Sequence, residues 1–408
     1  MKVLVAHNFY QLPGGEDVVF LREKTLLASR GHEVIEYVRH NREIASAGLW
    51  DFATLPARVV WNWDSYTEVK RLLAEHKPDV AHFHNIFPLI SPAAYSACWE
   101  AGVPVVQSLH NSRLICPAGV MYYNGAFCQD CLGKTFPWPG VVRACYRKSH
   151  IQTGVVGLMT TVHRSRGTWT QMVSRYVVFT EFYYRKFQEA GFPSEKLVIK
   201  PHFVEDPGVR QGLGSYALYV GRLSEDKGIA TLLHAWQKLQ HIPLKICGGG
   251  PLASMVRNFA DKAGGAVEVL PFIPREQVME MMKGAAFLVW PSEFCETFGL
   301  VAVEAFACGV PVIASAVGAM PDMVSDRHTG LTFRVGDAGD LAAKVAWAWE
   351  HADELAEMGR TARSEYEAKY TIERNYDCLI QIYRDAIAQR RADAVRQPVT
   401  AIRNGASH

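Results

Sequence analysis

The sequence predicts two consecutive α/β domains, each built around a parallel, doubly wound sheet. The chain has 408 residues, which is too long for one compact core and suits two domains of ordinary size. In both halves, short apolar runs alternate with amphipathic stretches of helical length, and this alternation is typical of strand–helix–strand units with parallel strands. A segment rich in glycine and proline, residues 205–215, separates the halves and marks the predicted boundary.

The first domain is predicted to span residues 1–205. Its opening apolar run is a buried strand, and a helix follows from about Glu16 until Gly31 ends it. Strands are predicted at residues 2–6, 34–38, 80–84 and 103–109. An insert rich in cysteine follows the last of these strands, at about residues 113–150.

The second domain, residues 206–370, repeats the same pattern. Strands are predicted at residues 217–220, 244–247, 267–270, 287–290 and 312–314, and helices at residues 229–239 and 340–358. A last helix is predicted at residues 371–388, and the tail 389–408 is expected to be disordered because it lacks apolar periodicity. In open parallel sheets, ligands bind beyond the carboxyl ends of the strands. We therefore expect the chemistry of both domains on the loops that follow strands.

The start of the chain and its hydropathy predict a cytoplasmic protein. The first ten residues form a strand pattern and lack the apolar core and cleavage site of a signal peptide. No run approaches the roughly 18 uninterrupted apolar residues of a spanning helix. The net charge is +2, with 49% hydrophobic and 21% charged residues, a composition typical of globular proteins.

Basic residues are concentrated near the end of the first half. Between Lys134 and Lys186 there are nine basic residues and one acidic residue, Glu181. This stretch is either a solvated basic face or a surface for anionic lipid headgroups or a lipid-phosphate acceptor, in which case the chain is peripheral at the inner membrane face. Nucleic acid is not an expected partner, because no basic helix is interleaved with stacking aromatic residues.

The strongest chemical pattern follows the first strand of the second half. In GRLSEDKG, Arg222 and Lys227 stand five residues apart on a loop that leads into a helix, so both charges can converge on one diphosphate. The alternative is a surface loop with two ordinary charges. Further on, ETFGL brings Glu296, and Glu304 follows eight residues later. A carboxylate can accept two hydrogen bonds from a vicinal diol, whereas the alternative is two solvated acids at a helix start.

These motifs together resemble those of glycosyltransferase family 4, the retaining group with the GT-B fold of two Rossmann-like domains. The resemblance rests on GRLSEDKG, GGGP and ETFGLVAVE, with AFACGVPVIAS and GAMPDMV behind them, and it covers about residues 1–388. It implies that Arg222 and Lys227 contact the donor diphosphate and that Glu304 contacts the ribose. It also implies that the last helix crosses back onto the first domain. The glycine run departs from the family pattern at Gly249, where relatives often carry an acidic residue.

The resemblance further implies a set of donor-binding and catalytic residues. The implied donor-binding residues are Gly14, Gly15, Gly221, Arg222, Lys227, Gly249, Ile273, Glu296, Thr297, Phe298, Gly299, Leu300 and Glu304. The residues predicted to take part in catalysis are His110, Arg222, Lys227 and Glu296. His110 follows a strand, where the family has a histidine near the reacting centre; the alternative is a structural histidine. On the acceptor side we predict Glu16, His84, Asn85 and Asn111.

The predicted function is therefore transfer of a hexose from a UDP- or GDP-sugar, with retention at the anomeric carbon. The acceptor is expected to be a saccharide or a lipid-diphosphate-linked saccharide in the synthesis of a surface polysaccharide, and no catalytic metal is required. Two alternatives remain, a sugar-nucleotide epimerase of the same fold and a non-catalytic, two-lobed sugar-binding protein. A dinucleotide-dependent dehydrogenase is disfavoured, because no GxGxxG motif follows a strand.

Four of the nine cysteines are clustered in the insert. Cys116, Cys128, Cys131 and Cys145 fall within thirty residues, and the middle two form a CxxC. In a reducing cytosol a structural disulfide is disfavoured, whereas four thiolates at such spacings can bind zinc tetrahedrally. Structural zinc, unliganded thiols and a redox pair remain alternatives. The run from HNSRLICPAG to RACYRKS also resembles an insert found in a subset of family 4 enzymes of surface polysaccharides.

Overall fold

Two parallel sheets of six strands each form the framework of the chain. The computed structural model describes residues 1–11, 14–45 and 49–403. All pairings within the two large sheets are parallel. Helices cover these sheets, and a separate two-stranded hairpin lies in the insert. The predicted fold class, two doubly wound α/β domains, is confirmed.

The first half contains eight strands and eight α-helices in its described part. In chain order they are β1 (Lys2–Phe9), α1 (Gly15–Ser29), β2 (Glu33–His40), α2 (Arg42–Ala45), α3 (Leu49–Val60), α4 (Trp63–His76), β3 (Val80–Phe83), α5 (Ala93–Glu100), β4 (Val105–Ser108), β5 (Tyr122–Tyr123), β6 (Ala126–Phe127), α6 (Trp138–Val142), α7 (His150–Ser165), β7 (Arg175–Val178), α8 (Glu181–Glu189) and β8 (Leu197–Ile199).

The second half contributes six strands and eight α-helices within the described residues. They are β9 (Tyr216–Val220), α9 (Ile229–Trp236), β10 (Leu244–Cys247), α10 (Ala253–Lys262), β11 (Val267–Leu270), α11 (Arg275–Lys283), β12 (Ala285–Trp290), α12 (Leu300–Ala307), β13 (Val312–Ser315), α13 (Met320–Met323), β14 (Gly330–Phe333), α14 (Ala338–Glu350), α15 (Ala352–Lys369) and α16 (Ile372–Arg403).

The strand order places two pairs of loops where a ligand can bind. The first sheet runs β2-β1-β3-β4-β7-β8 and the second runs β11-β10-β9-β12-β13-β14. The direction of winding therefore reverses between β1 and β3 and between β9 and β12. Adjacent loops diverge at such a switch point and leave a crevice beyond the strand ends. The loops after β1 and β3 carry Gly14 and His84, and those after β9 and β12 carry Lys227 and Glu296.

Burial explains why the central strands were predictable and some outer strands were not. The side chains of β12 are buried throughout, so the strand is a continuous apolar run, as expected for a parallel strand covered on both faces. The strands β7, β8 and β14 were not predicted. Of these, β8 is only three residues long, and β8 and β14 lie at sheet edges.

The C-terminal helices differ from the prediction in two ways. The helix predicted at residues 340–358 is two helices, α14 and α15, because His351 between them has non-helical angles of φ −118° and ψ 64°. The last helix, α16, continues to Arg403, so the predicted disordered tail 389–408 is helical up to that residue. The residues of the predicted tail lack apolar periodicity, but they include many strong helix formers, alanine, arginine and glutamine, which favour a helix. Residues 404–408 lie outside the described residues.

A buried ion pair connects α16 with the first domain. Helix α16 packs against β3 and β4. The Lys200 ammonium group, at the end of β8 and without solvent exposure, binds the buried Glu23 carboxylate of α1 and donates a hydrogen bond to Asn375 Oδ1 of α16 at 3.3 Å. Asn375 Nδ2 in turn donates to the Pro201 carbonyl at 2.6 Å. One lysine therefore joins three separate parts of the chain.

We expect Lys200→Met to lower the free energy of unfolding by about 3–5 kcal/mol, because it leaves the Glu23 carboxylate buried without its charge partner. Lys2→Met is the matched control, since Lys2 pairs with Glu33 in water and such exposed pairs contribute about 0–1 kcal/mol. Urea denaturation measures both. Equal effects of the two substitutions would show that the buried pair does not stabilise the contact with α16.

Candidate active site

The loops after β9 and β12 bring a lysine and a glutamate together. Lys227, at the end of the short 3₁₀ turn Glu225–Lys227, forms an ion pair with Glu296 Oε1. The same oxygen accepts hydrogen bonds from Ser292 Oγ at 2.7 Å and from Trp290 Nε1 at 3.4 Å. The Lys227 ammonium group also lies 4.6 Å from the centre of the Phe294 ring. The two predicted residues, 69 positions apart, thus meet at the switch point of the second sheet.

Glycines allow the surrounding loops to pack closely. Gly248 has φ +155°, and a Cβ there would lie 1.9 Å from the Gly221 carbonyl oxygen. A Cβ on Gly299 would lie 2.1 Å from the Trp290 ring. At Gly249, in contrast, nothing lies within 4 Å of the Cβ position, so this residue borders open space. The Arg222 side chain, on the same rim, is exposed, and no ion pair involves it in the described part of the chain.

The second predicted acid, Glu304, is paired with an arginine that the sequence did not single out. Glu304 lies on α12, with Gly299 as N-cap and Leu300 as first residue. Its Oε1 is 3.1 Å from Arg275 Nη1, and its side chain is 14% exposed. Burial raises the pKa of the Glu304 carboxyl, and Arg275 acts in the opposite direction. Arg275 stands two residues after Ile273, which is half-buried and was predicted to bind the donor. This closeness in sequence was the available signal for Arg275.

On the first domain, His110 belongs to a cluster of buried aromatic side chains. Its Nε2 shares a hydrogen bond with His84 Nδ1 at 3.0 Å, and its ring stacks on His202 with 5.6 Å between centroids. His84 Nε2 lies 3.6 Å from Glu23 Oε2. Burial lowers the pKa of His84, His110 and His202 well below the ordinary value, so these rings are neutral at pH 7. The prediction did not include His202.

A second polar group lies at the start of α1. Asn111 Nδ2 donates to Glu16 Oε2 at 3.5 Å. Burial raises the pKa of the Glu16 carboxyl to about 7, although a hydrogen bond from the Tyr10 hydroxyl and the charge of Arg113 act to lower it. Gly14 is the N-cap of α1, and its N–H donates to Asp17 Oδ2 at 2.8 Å; Gly15 is the first residue of the helix.

Arg113 is a residue that sequence reasoning missed. Its guanidinium carbon lies 4.3 Å from the centroid of the Phe87 ring and 5.0 Å from that of Tyr146. Its Nε and Nη1 atoms are buried without hydrogen-bond partners. The side chain lines one cavity together with His84, His110 and Asn111. Asn85 also borders this cavity, but its amide is engaged with the backbone: Nδ2 donates to Asn8 O at 2.8 Å, and Oδ1 accepts from Phe87 N at 3.0 Å.

The two halves meet directly at the predicted site. Thr297 Oγ1 donates to the His110 carbonyl at 3.0 Å. The Phe298 ring, which is buried, contacts the His202 ring at 4.9 Å between centroids. The cysteine-rich insert also faces the second domain, since the pKa of the Tyr122 phenol is raised by burial and by the nearby carboxylates Glu293, Asp226 and Glu225.

The four clustered cysteines line one small cavity. Cys116, Cys128, Cys131 and Cys145 are all half-buried and unbridged. Burial raises the pKa of the Cys131 thiol to about 11 and also raises that of Cys145. Among the described residues, one group of three side chains has ligand atoms that all lie within 4.8 Å of one another, namely Glu23, His82 and His84. The sulfur atoms of the four cysteines are more widely spaced than this. In that group Glu23 is already bound to Lys200, and both His82 nitrogens have hydroxyl partners, on Tyr383 and Ser108.

We expect the difference in stability between Glu16→Gln and the unaltered chain to depend on pH. The carboxyl pKa is about 7 in the folded chain against an ordinary 4.5, so the folded state holds an extra proton between these values. The unaltered chain therefore loses stability as pH rises from about 4.5 to about 7, whereas the glutamine variant has no such loss. Melting temperatures across this range measure the difference, which should rise in favour of the variant and level off above pH 7. Glu33→Gln, on the surface, is the control; a flat difference for Glu16→Gln would contradict the buried carboxyl.

Comparison with known proteins gives family matches for both halves. Residues 13–206 match the family model described as Glycosyltransferase Family 4, and residues 210–365 match Glycosyl transferases group 1. The chain is 34% identical over 192 residues to a D-inositol 3-phosphate glycosyltransferase of Mycolicibacterium smegmatis, covering 45% of this chain and 43% of that protein. It is 34% identical over 137 residues to an alpha-maltose-1-phosphate synthase of the same organism, covering 31% and 35%. The chain thus spans less than half the length of these curated relatives.

Solved structures resemble the chain over nearly its whole length. Sucrose-phosphate synthase from Thermosynechococcus elongatus superposes with a TM-score of 0.68 at 18% identity, covering 95% of this chain and 99% of that one. HepE of Anabaena, crystallised in complex with UDP, superposes with a TM-score of 0.63 at 16% identity, covering 97% and 100%. These likenesses establish the GT-B fold. With both halves matched by family models and the fold shared, the chain belongs to the glycosyltransferases of the family 4 type.

Proposed function

We propose that the chain transfers a hexose from a nucleotide sugar to a saccharide acceptor in glycan biosynthesis. The observation that carries this proposal is the set of charged side chains at the switch point of the second sheet. Arg222 is exposed beside the loop of Gly249, Lys227 holds Glu296, and Arg275 holds Glu304. Two acids within reach of three bases form a site that can take both the diphosphate and the hydroxyl groups of one ligand.

The donor we propose is a UDP- or GDP-sugar. Arg222 and Lys227 would bind its diphosphate, and Glu304 the ribose hydroxyls, while Glu296 and the backbone from Phe298 to Leu300 would hold the sugar. The glycine loops at Gly14–Gly15 and at Gly221, together with Ile273, would border the nucleotide. The solved neighbour HepE was also crystallised in complex with UDP and glucose, which supports UDP as the nucleotide.

Binding of such a donor would exchange the ion pairs of this site. Lys227 would turn from Glu296 to the diphosphate, which frees the Glu296 carboxylate for sugar hydroxyls. Glu304 is 14% exposed and accepts from Arg275, so a ribose diol would compete with that arginine or share the carboxylate with it. After the exchange, Lys227 would be paired with the diphosphate, and Glu296 would keep hydrogen bonds from Ser292 and from the sugar, so neither ion would be left without a polar partner.

We propose that the reaction stabilises charge on the departing phosphate without a catalytic metal. Arg222, Lys227 and the N-terminus of α12 supply fixed positive charge there, and preorganised donors of this kind lower a barrier without reorganisation. We propose retention: the acceptor oxygen bonds to the anomeric carbon on the face from which the nucleoside diphosphate departs, and the hydroxyl proton passes to the departing phosphate. His110, with its carbonyl held by Thr297 and its ring neutral, borders the reacting centre from the first domain.

The acceptor would occupy the first-domain cavity beside His110. Asn111 and His84 line its polar side, Glu16 contacts Asn111 from behind, and Arg113 presents N–H groups without hydrogen-bond partners between two aromatic rings. A guanidinium in this state favours an acceptor with an anionic group, and we therefore propose a lipid-diphosphate-linked saccharide at an anionic membrane surface. None of the helices in the described ranges has the length and apolar content of a bilayer-spanning segment.

We expect Arg222→Ala to slow sugar transfer by roughly 10²–10³-fold, since removal of one preorganised donor to the developing charge costs about 2.7–4 kcal/mol. The variant should also bind free nucleoside diphosphate and inorganic pyrophosphate more weakly. Arg257→Ala, which removes another exposed arginine of the same domain, should leave both properties unchanged. Calorimetry and a coupled assay of nucleoside diphosphate release make the comparison. If Arg222→Ala bound pyrophosphate as tightly as the unaltered chain, the diphosphate site would lie elsewhere.

We also propose that the four clustered cysteines bind one structural zinc ion. The support is the donor set: four thiols around one cavity, in an insert whose regular structure is limited to the two-residue strands β5 and β6 and the five-residue helix α6. An insert with so little core gains stability from a metal, and binding would draw the sulfur atoms together as thiolates.

We expect about one zinc ion per chain by elemental analysis, as for a closed Cys₄ site. The double variant Cys128→Ser/Cys131→Ser should lose that zinc, while Cys378→Ser, outside the insert, should retain it. A chelator should lower the melting temperature of the unaltered chain and of Cys378→Ser, both of which hold the zinc. Suppose that the chain, purified from cells grown with zinc, contains no zinc and that a chelator does not change its melting temperature. This result would show that the thiols are unliganded.

A further inference from the structure

Large apolar side chains are exposed on two adjacent helices of the first domain. Trp138 and Val142 of α6 are 57% and 66% exposed, and Ile151 and Leu158 of α7 are 78% and 50% exposed. Residues four or seven positions apart lie on the same side of a helix, so each pair forms one stripe. Contiguous exposed apolar surface of this kind marks a binding face more often than a solvated one.

The packing of α7 shows why these side chains stay outside the core. Its inner side buries Val156 and Met159 against Phe87. A neighbouring side holds the segment that contains α6: His150 Nδ1–H donates to the Val141 carbonyl, and Thr161 Oγ1 donates to the Thr135 carbonyl, both at 2.8 Å. On the third side of the helix, the side chains of Ile151 and Leu158 are exposed.

The surroundings of this stripe are basic. No acidic residue occurs from residue 131 to residue 180. The basic residues in or beside α6 and α7 are Lys134, Arg143, Arg147, Lys148, Arg164 and Arg166, of which Arg143 is paired with Asp130. Lys134 lies 5.6 Å from the centre of the exposed Trp138 ring, and Arg166 lies 4.9 Å from that of Trp61, next to Trp63, which is 65% exposed. Exposed tryptophans within a basic surround are typical of proteins that lie in a membrane interface.

We propose that the exposed faces of α6 and α7 form a docking surface for a membrane that contains anionic lipids. The apolar side chains Trp138, Val142, Ile151 and Leu158 enter the interface, and the basic residues around them bind the lipid phosphates. A membrane that contains anionic lipids fits this surface because exposed tryptophan and aliphatic side chains occur here together with surrounding basic residues, the combination that interfacial helices have. Charge and apolar area here act on the same partner.

The docking surface also explains the position of the acceptor cavity. The rings of Phe87 and Tyr146, which hold Arg113, pack with Val156 and Met159 on the inner side of α7. One helix therefore carries the lipid-facing stripe on one side and the wall of the cavity on the other. An acceptor whose diphosphate is anchored at the lipid surface would be presented to Arg113 over a short distance; this consequence, unlike the docking itself, rests on the proposed function.

The test is vesicle binding by the full chain. The unaltered chain should sediment with vesicles of phosphatidylglycerol and phosphatidylcholine, and much less with pure phosphatidylcholine. The variant Ile151→Glu/Leu158→Glu should bind the anionic vesicles at least tenfold more weakly. Met255→Glu is the matched control, because Met255 is a 48% exposed apolar residue on α10 of the second domain. Quenching of tryptophan fluorescence by brominated lipid should fall in Trp138→Phe.

Each outcome separates the docking surface from the alternatives. Melting temperature and nucleoside diphosphate binding of the variants report that they are folded, and neither property should change. The proposal is overturned if the unaltered chain does not bind anionic vesicles, or if Ile151→Glu/Leu158→Glu binds them as tightly as the unaltered chain does. If the unaltered chain does not bind vesicles but sediments as a dimer, and the variant sediments as a monomer, the face belongs to a contact with a second copy of the chain. Vesicle binding without any binding of nucleotide sugar would overturn the proposed function and leave the docking surface intact.

Discussion

A lysine and a glutamate without access to water hold together the parts of the first domain that form its side of the cleft. Lys200 at the end of β8 binds Glu23 of α1 and also reaches Asn375 of α16. A buried charge that loses its partner is strongly unfavourable, so these three elements cannot separate independently. The other oxygen of Glu23 faces His84, which contacts His110. The position of His110, whose carbonyl accepts from Thr297, thus depends on an ion pair two side chains away.

In the second domain the same constraint acts on two acids. Glu296 and Glu304 are each partly buried and each held by one basic residue, whereas Arg222 is exposed. In the proposed function, Arg222 would be the first charge to meet the diphosphate of a donor. The contact from Thr297 to the His110 carbonyl joins this group of charges to the histidine cluster of the first domain.

Much of this arrangement follows from the sequence, and the exceptions have definite causes. Continuous apolar runs such as β12 identify the central strands, and the loops at their ends contain the glycines and charges that become the site. Partners that depend on tertiary packing could not be predicted. Arg275 meets Glu304, and Lys200 meets Glu23 across 177 positions, with no local pattern to indicate either contact. Arg113 is one basic residue among many until Phe87 and Tyr146 enclose it.

In the proposed function, the cleft binds a nucleotide sugar and breaks its anomeric bond with retention. The most direct measurement follows the anomeric proton by NMR while the chain turns over UDP- and GDP-sugars, with water or a saccharide as acceptor. We expect release of nucleoside diphosphate from one nucleotide class and a first product with the anomeric configuration of the donor. A first product of inverted configuration would contradict the mechanism. Stable donors of both classes, in the presence of anionic vesicles and saccharide acceptors, would contradict the assignment of the site itself.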